Sequence, residues 1–444
     1  MNIFLTDINK SIVLQRTSFL IVFLISLFFL FRLEHTALPF TKDGVHFQRW
    51  DSDIMMQCLQ SKGLRNHPFK SLWYLHKEPP LYDAIRALLI SCLQKVPDKF
   101  LLLRLDQLIY YMWVIVYSLM VVMIYHWLSQ LTSFRFAFYI SMAWILHPSP
   151  IYFATFLDPS ILDSLVVLCL FYELWLFYSK RGSILRLSTS VLILFYLRAT
   201  CQWYFFILIA CCLVLMKIPR KQVMKFIIIC TLLIVPYVAK QYYLFKNIGS
   251  TYLGYHFYYL VAGDSQPVNE IKILADSIPW TYPKDASLSI GVYNTEKEWR
   301  ENFAYYKLFN QYLVHHPFEA VKNIATTFVY NWHDYWRPSS VYEGSNVVVR
   351  ILPWNYRFIQ FFSYPSNFLI LVFSFFLWRK MRKDAGLPSI DNGILGIGLI
   401  LFYIFMSSTL INGNGKGATE AVRYKFFLEP IYYVFIAGSF YSLI

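Results

Sequence analysis

RLDQLIYYMWVIVYSLMVVMIYHWL, residues 104–128, contains no Asp, Glu, Lys or Arg after Asp106. About 20 consecutive apolar residues in a helix cross the roughly 30 Å hydrocarbon layer of a bilayer. This stretch is long enough to do so, and several others in the chain are comparable. The sequence therefore predicts an integral membrane protein with most of its mass in hydrophobic helices that cross a bilayer.

The composition of the whole chain agrees with that interpretation. Of its 444 residues, 57% are hydrophobic, 20% are aromatic and only 15% are charged, whereas a soluble domain has about 25% charged residues. The formal net charge is +14, but the basic residues lie in short clusters between apolar stretches, as membrane topology requires. We therefore predict no nucleic-acid partner. The seven cysteines have no CxxC spacing, so we interpret them as small hydrophobic residues.

Ten apolar stretches predict an all-α polytopic protein with about ten transmembrane helices. They cover residues 17–36, 104–128, 136–155, 160–179, 187–200, 202–217, 226–244, 361–378, 392–411 and 426–444. The first lacks a small-x-small cleavage site and is interpreted as a retained span. The pair 187–217 is expected to turn near Arg198 as a tight hairpin.

Placing the N-terminus in the cytoplasm satisfies the rule that short cytoplasmic loops are rich in Lys and Arg. The inner segments then carry Lys10 and Arg16; Arg135; Lys180, Arg181 and Arg186; Lys217, Arg220, Lys221 and Lys225; and Arg379, Lys380, Arg382 and Lys383. This orientation leaves two long segments on the outer side, so polar chemistry is expected at the outer face.

The two outer segments divide the chain into three parts. Residues 1–244 form a seven-span module that contains the first outer loop, 37–103. Residues 245–360 form a large outer segment, and residues 361–444 form a three-span module. Within the first outer loop, amphipathic stretches at 54–64 and 82–93 predict helices along the membrane surface.

Carboxylates follow the first predicted span. Asp51 and Asp53 come soon after the membrane exit, and Asp43 precedes them. A carboxylate near the membrane surface can act as the general base for an acceptor hydroxyl or amine. The alternative is that Asp51 or Ser52 caps a helix over 53–63.

HKEPPLY, residues 76–82, is a stiff segment at the start of a predicted helix. Proline suits the first turn of a helix, and stiffness is what a substrate-positioning group needs. Lys77, Glu78 and Tyr82 are therefore candidate site residues. A proline-initiated helix after a loop is the alternative.

Two acids lie at the outer end of the third and fourth spans. Asp158 precedes a proline, and Asp163 lies five residues further on. Acids within apolar stretches tend to face a cavity or to pair with a base. Capping of the fourth span is the alternative for Asp158.

Two arginines on the outer side oppose the topology rule. Arg198 lies at the turn of the fifth and sixth spans, and Arg423 opens the last span. Arginine binds phosphate through a fork of donors. The alternatives are snorkelling of Arg198 to the interface and pairing of Arg423 with Glu420 or Glu429.

Metal and nucleotide motifs are missing from the sequence. The histidines of the first outer loop, His46, His67 and His76, and the nearby His35 have no metal-ligand spacing. The sequence has no P-loop and no GxSxG elbow. We predict no cofactor, and a divalent metal is not indicated.

The order of these motifs resembles the multi-spanning GT-C glycosyltransferases that use lipid-linked sugars, such as protein O-mannosyltransferases and the aminoarabinose transferases of lipid A. Four features carry the resemblance: Asp51 after the first span, a Lys-x-Pro-Pro-Leu-Tyr segment from Lys77 to Tyr82, Asp158 at the start of the fourth span, and Arg-Tyr-x-Phe-x-x-Glu-Pro from Arg423 to Pro430. The family often has Asp-Glu where this chain has Asp51-Ser52-Asp53. Asp43, Asp51 and Asp53 therefore compete for the role of base.

The resemblance implies a mechanism. A polyprenyl-phosphate sugar would present its phosphate at the outer surface, where Arg423, with Lys77 or Arg198, neutralises the leaving group. Asp51, with Asp53 and Asp158 as the other catalytic candidates, would take the proton of the attacking acceptor, with inversion at the anomeric carbon. Glu78, Tyr82 and Tyr424 would position the substrates.

Other functions stay open from the sequence alone. A flippase for lipid-linked sugars is one, although internal repeats and broken midplane helices are typical of transporters and are not seen here. Another membrane transferase, such as an acyltransferase, and a membrane scaffold are further alternatives. The acceptor is an unknown glycan, lipid or protein. A bacterial inner membrane is favoured, with the endoplasmic reticulum membrane as the alternative.

Overall fold

The structure is a computed structural model that describes residues 2–37, 40–42, 44–45, 47, 53, 58–145, 147–154, 156–251, 253–263, 267–336, 366–384, 391–412 and 418–441. The helices of these residues are α1 (Asn2–Ala37), α2 (Ser61–Asn66), α3 (Pro68–Trp73), α4 (Leu81–Ser91), α5 (Asp98–Leu131), α6 (Phe134–Ile145), α7 (Pro148–Ala154), α8 (Ser160–Tyr178), α9 (Ile184–Leu197), α10 (Trp203–Leu215), α11 (Arg220–Phe245), α12 (Leu253–Ala262), α13 (Val268–Asp276), α14 (Glu296–His315), α15 (Pro317–Trp336), α16 (Ser366–Asp384), α17 (Asn392–Asn412) and α18 (Ala418–Tyr441). The short strands β1 (Phe40–Thr41) and β2 (Gly44–Val45) pair antiparallel.

The predicted all-α fold is confirmed for the described residues, and it is consistent with an integral membrane protein. Four helices are long and apolar enough to cross a membrane, namely α1 over Leu14–Phe31, α5, α8 and α11. Shorter apolar helices include α6, α9, α10 and most of α17. Each predicted span overlaps a helix, but the number of ten crossings stays a prediction.

The stretch predicted as one span over 136–155 is two helices instead. The first, α6, ends at Ile145, and α7 begins at Pro148. Proline has no backbone N–H to continue a helix, and its ring disfavours the helical conformation of the residue before it. The Pro148 ring therefore explains the interruption and also suits the first position of α7.

Of the surface helix predicted over 54–64, the described part is helical over 61–64 but not over 58–60. Leu59 forms an isolated antiparallel bridge with Gly291, and the Gln60 N–H donates to the Ile290 carbonyl at 2.7 Å. The backbone before Ser61 thus pairs with the large outer segment, and α2 begins only at Ser61. The stretch predicted as a surface helix over 82–93 does form a helix, α4.

The membrane helices pack around α5 and α8. Trp113 and Tyr117 of α5 are fully buried, and α5 contacts α1, α6 and α8. In turn α8 packs on α9 and α18, and α4 rests on α5 and α9. This packing brings the beginnings of α8 and α18 and the turn between α9 and α10 to one end of the bundle.

The described part of residues 245–360, the segment predicted to lie on the outer side, forms a helical layer with its own small core. Helix α12 packs against α14, α15 and α17, and Tyr258, Val261 and Leu308 are buried between these helices. The start of α14 is fixed by its sequence, because Thr295 caps the helix by accepting from the Glu298 N–H. A Thr followed by Glu three residues later is a capping-box pattern.

Candidate functional site

The loop between α3 and α4 is held by polar contacts to its backbone. Gln241 Nε2 donates to the Leu75 carbonyl at 3.0 Å. Asn294 Oδ1 accepts the backbone N–H groups of His76, at 3.0 Å, and Lys77, at 3.2 Å. These contacts come from α11 and the outer segment, so the loop is anchored on two sides.

His76 is a neutral, structural member of this loop. Its Nδ1 lies 2.8 Å from Thr251 Oγ1, and its Nε2 lies 3.0 Å from the Tyr282 hydroxyl. Burial, with Lys77 and Lys240 nearby, lowers the pKa of His76 to about 3. Both ring nitrogens thus have partners, and the ring carries no charge at neutral pH.

The Lys77 side chain extends from the loop toward α14. Its Nζ lies 3.4 Å from Glu298 Oε2 and 5.2 Å from the centre of the Tyr293 ring. Burial lowers the pKa of Lys77, while Glu298 and Glu78 oppose that shift. The Ser250 hydroxyl donates to the Lys77 carbonyl, which fixes the backbone just before Glu78.

Glu78 is a buried carboxyl group among basic residues. The residue is only 8% exposed. Burial raises its pKa to about 7, even though Arg198, Lys77 and Arg423 favour the ionised form. A carboxyl group with a pKa close to neutral can exchange a proton in either direction at physiological pH. Glu78 is therefore a buried carboxyl group that changes its protonation state near neutral pH.

An ion-pair cluster lies at the same end of the bundle. Arg198 Nη2 lies 3.0 Å from Asp158 Oδ1, and Arg198 also binds Asp163 through Nη2 and Nε. Arg423 Nη1 lies 3.5 Å from Asp158 Oδ2. These four side chains, here named the charge cluster, combine two guanidinium groups with two carboxylates. Their formal charges balance.

Asp158 performs the capping role as well as ion pairing. Its Oδ1 accepts the Ser160 backbone N–H at 2.8 Å, at the first residue of α8. Burial alone would raise the pKa of Asp158, but Arg423 and Arg198 outweigh it and lower the value to about 2. Asp158 is therefore an ionised partner of the arginines and a weak proton acceptor.

Two tyrosines predicted to position substrates lie at the edge of this region. The Tyr82 hydroxyl donates to the Leu157 carbonyl at 2.5 Å, next to Asp158. The Tyr424 hydroxyl lies 3.0 Å from Thr200 Oγ1, two residues after Arg198. The structure therefore brings Lys77, Glu78, Asp158, Arg198 and Arg423 together and places Tyr82 and Tyr424 beside them.

The carboxylates after the first predicted span are not among the residues that the structure brings together at this site. Asp51 and Asp43 lie outside the described residues. Asp53 accepts the Ser61 backbone N–H at 2.5 Å and the Ser61 hydroxyl at 2.9 Å, which caps α2. Arg86 lies 3.8 Å from the same carboxylate. These contacts give Asp53 a structural role at the start of α2. The predicted alternative, a helix over 53–63 capped by Asp51 or Ser52, names two residues that lie outside the described part of the chain.

Asp83 and Arg86 form a buried pair that the sequence reasoning missed. Arg86 Nη1 lies 2.5 Å from Asp83 Oδ1 and donates to the Leu59 carbonyl at 2.7 Å. The Asp83 carboxylate accepts the Leu59 N–H at 3.1 Å. Opposite charges three residues apart in a predicted amphipathic helix were the available signal. The pair fixes α4 to the strand-like segment at Leu59.

An apolar cavity of about 320 Å³ lies between α10, α12, α15 and α17. Its walls include Tyr204, Tyr403 and Phe257. The Tyr204 hydroxyl donates to the Ala199 carbonyl at 3.0 Å, and the Tyr403 hydroxyl donates to the neighbouring Thr200 carbonyl. One wall of the cavity therefore contacts the short turn that follows Arg198.

The described residues contain no group of three or more His, Cys, Asp or Glu side chains that could hold a metal ion. The members of the charge cluster pair with one another, and Lys77 pairs with Glu298.

The raised pKa of Glu78 makes stability depend on pH. The ordinary value is 4.5 and the folded value about 7. Between these pH values the folded chain binds more protons, so its stability falls as pH rises through that window. Glu78→Gln removes this loss. We expect the melting temperature of the variant, relative to wild type, to be higher at pH 8 than at pH 5, as measured by thermal unfolding in detergent. An equal difference at both pH values would contradict the raised pKa.

Comparison of the chain with protein-family models, with curated proteins and with solved structures gives no match in any of the three.

Proposed function

We propose that this protein is a membrane glycosyltransferase that moves a sugar from a polyprenyl-phosphate donor to an acceptor at the outer face, with inversion at the anomeric carbon. The observation that carries the proposal is the meeting of Glu78 with the charge cluster. These residues come from four distant parts of the chain and lie within electrostatic reach of one another. A buried proton acceptor beside two guanidinium groups suits the attack of a hydroxyl on a phosphate-linked sugar.

Glu78 is our first candidate for the general base. Its pKa near 7 lets it accept a proton at neutral pH. Asp158 is held ionised by two arginines, and Asp53 caps a helix. Asp51 keeps the role that the family resemblance implies and is tested beside Glu78.

Arg423 is a better candidate than Arg198 for binding the leaving phosphate. Arg198 donates to both acids of the charge cluster, with Asp158 at 3.0 Å, whereas Arg423 lies at 3.5 Å from Asp158. Within the charge cluster, the Arg423–Asp158 contact is therefore the longer one and the weaker coulombic attraction. Lys77, which faces Glu298, can supply a second positive charge for binding the leaving phosphate.

The apolar cavity supports a lipid-linked donor. A polyprenyl chain requires an apolar surface near the phosphate site, and the cavity meets the turn after Arg198. If the chain has the predicted ten spans and a cytoplasmic N-terminus, this site would lie at the outer face. We propose a bacterial inner membrane as its location.

The proposal is tested by incubating the purified protein in lipid with a panel of polyprenyl-phosphate sugars. Free polyprenyl phosphate is measured with wild type and with Asp51→Asn. Release by wild type identifies the donor, and its loss in Asp51→Asn places that carboxylate at the chemistry. If wild type binds the lipids but never releases polyprenyl phosphate, with or without candidate acceptors, and moves them across vesicles, the protein is a flippase.

Asp53→Asn separates capping from catalysis. We expect the variant to lose less than about 1 kcal/mol of stability, because the Asn oxygen still accepts from Ser61 and Asn caps a helix about as well as Asp, while the charge facing Arg86 is lost. Its rate of sugar transfer should stay within about twofold of wild type, since its contacts are with Ser61 and Arg86. The measurements are thermal unfolding and initial rate with the same donor. A loss of transfer without a loss of stability would make Asp53 a catalytic residue.

A further inference from the structure

Gln202 lies between the charge cluster and the loop that carries Glu78. It follows Arg198 by four residues and forms the N-cap of α10. Only 2% of the residue is exposed. Its Oε1 accepts the Ser250 backbone N–H at 3.3 Å, and the Ser250 hydroxyl donates to the Lys77 carbonyl. Gln202 is therefore linked through Ser250 to the backbone of the loop that carries Glu78, and it lies four residues after Arg198 in the chain.

The orientation of the Gln202 amide follows from this contact. The Ser250 N–H is a donor, so the atom that faces it must be the amide oxygen and the nitrogen must occupy the other position. The neighbouring Gly249 permits the arrangement, because a Cβ there would lie 1.9 Å from Gln202 Oε1. Any larger residue at 249 has to displace the amide.

The nitrogen of this amide is a buried donor without an acceptor among the described residues. Gln202 Nε2 has no hydrogen-bond partner among the described residues. Buried donors are rarely left in this state, because an unmade hydrogen bond costs free energy. The amide is held in place by its oxygen, so it cannot turn to satisfy its nitrogen elsewhere without losing Ser250.

We propose that Gln202 Nε2 donates a hydrogen bond to a hydroxyl oxygen of the sugar on the lipid-linked donor. The proposal rests on the proposed function and names the part of the substrate that this residue binds. The described basic groups of the site each face a carboxylate: Arg198 and Arg423 face Asp158, and Lys77 faces Glu298. A neutral amide in such a balanced environment suits a neutral hydroxyl better than a phosphate.

The test compares binding of two lipids to the full-length protein in detergent. One is the polyprenyl-phosphate sugar that wild type binds most tightly in a panel, and the other is polyprenyl phosphate without sugar. We expect Gln202→Met, which keeps the shape but has no donor, to weaken binding of the sugar lipid about 10-fold, as one neutral hydrogen bond would. Binding of the bare lipid should stay within about twofold. Gly249→Ala should act in the same direction.

The control is a second Gln→Met variant, far from the candidate site. Gln130→Met removes an amide at the other end of α5, where Nε2 donates to Tyr172, and should leave both affinities unchanged. Unchanged binding of the sugar lipid by Gln202→Met overturns the inference, and so does equal weakening of both lipids, which would place the amide at the phosphate. If wild type binds the bare lipid as tightly as every sugar lipid, the sugar adds no binding contact and the inference fails. If wild type also releases no polyprenyl phosphate from any of these lipids, the proposed function fails as well.

Discussion

Glu78→Gln is expected to lower the rate of sugar transfer by about 10²- to 10⁴-fold, the range associated with loss of a general acid or base. The amide keeps the size of the side chain but cannot accept the acceptor's proton. Donor binding should be affected much less, because the charge cluster and Lys77 remain. The measurement is kcat together with the affinity for the donor. A fall in kcat with little change in donor affinity identifies an interaction made in the transition state.

The dependence of kcat/KM on pH tests the role of Glu78 independently. With a folded pKa of about 7, Glu78 is mostly protonated at pH 6 and mostly ionised at pH 8. We therefore expect kcat/KM of wild type to rise with pH and to level off above about pH 7 to 8. Glu296→Gln is a matched control, since that carboxylate is half-exposed and pairs with Arg300 on the outer surface. It should change neither rate nor profile.

Asp51 is the alternative candidate for the general base in this experiment. If Glu78→Gln retains transfer while Asp51→Asn loses it, the base is Asp51 and Glu78 returns to the positioning role that the sequence suggested. If both variants lose transfer but only Glu78→Gln removes the rise with pH, Glu78 is the base. Asp51 then acts on substrate binding, which its donor and acceptor affinities would show.

The sequence was informative about charges in apolar surroundings. Asp158, Arg198 and Arg423 stand out because a charged side chain in a hydrophobic stretch needs a partner, and the structure supplies those partners from one another. The loop around Lys77 and Glu78 was conspicuous for a different reason, because its two prolines make it stiff at the start of a predicted helix. The pairings themselves were not predictable, because they join residues as far apart as 158 and 423, and sequence spacing says nothing about such contacts.

Neutral polar residues, like the Asp83–Arg86 pair, were not revealed by the sequence. Gln202 and Asn294 carry no charge, and their importance depends on burial and on which backbone groups face them. The helix predicted over 54–64 does not extend over 58–60 for a related reason, since Leu59 pairs with Gly291, more than 200 positions away. The raised pKa of Glu78 also arises from desolvation in the folded protein, so the sequence could suggest only a positioning role.

Arg198→Met is expected to destabilise the protein by about 3–5 kcal/mol, the cost of leaving a buried ion pair with one partner. The Arg198 side chain is 8% exposed and faces Asp158 and Asp163, which are 11% and 1% exposed. Without the guanidinium, the two carboxylates share only the Arg423 charge of the cluster. Thermal and denaturant unfolding in detergent measure the loss. Lys297→Met, at a lysine whose side chain is 79% exposed and pairs with Glu301, should cost less than about 1 kcal/mol.

The double variant Arg198→Met with Asp163→Asn shows whether charge or packing is responsible. The wild-type cluster is neutral, with two arginines and two aspartates. Arg198→Met makes it negative by one charge, and the second substitution restores neutrality with the Asp158–Arg423 pair intact. Replacing a buried ion pair by uncharged groups is often close to neutral for stability, so the double variant should recover most of the loss. A double variant no more stable than Arg198→Met would mean that the arginine acts through its packing, including its contact with the Phe427 ring at 5.4 Å.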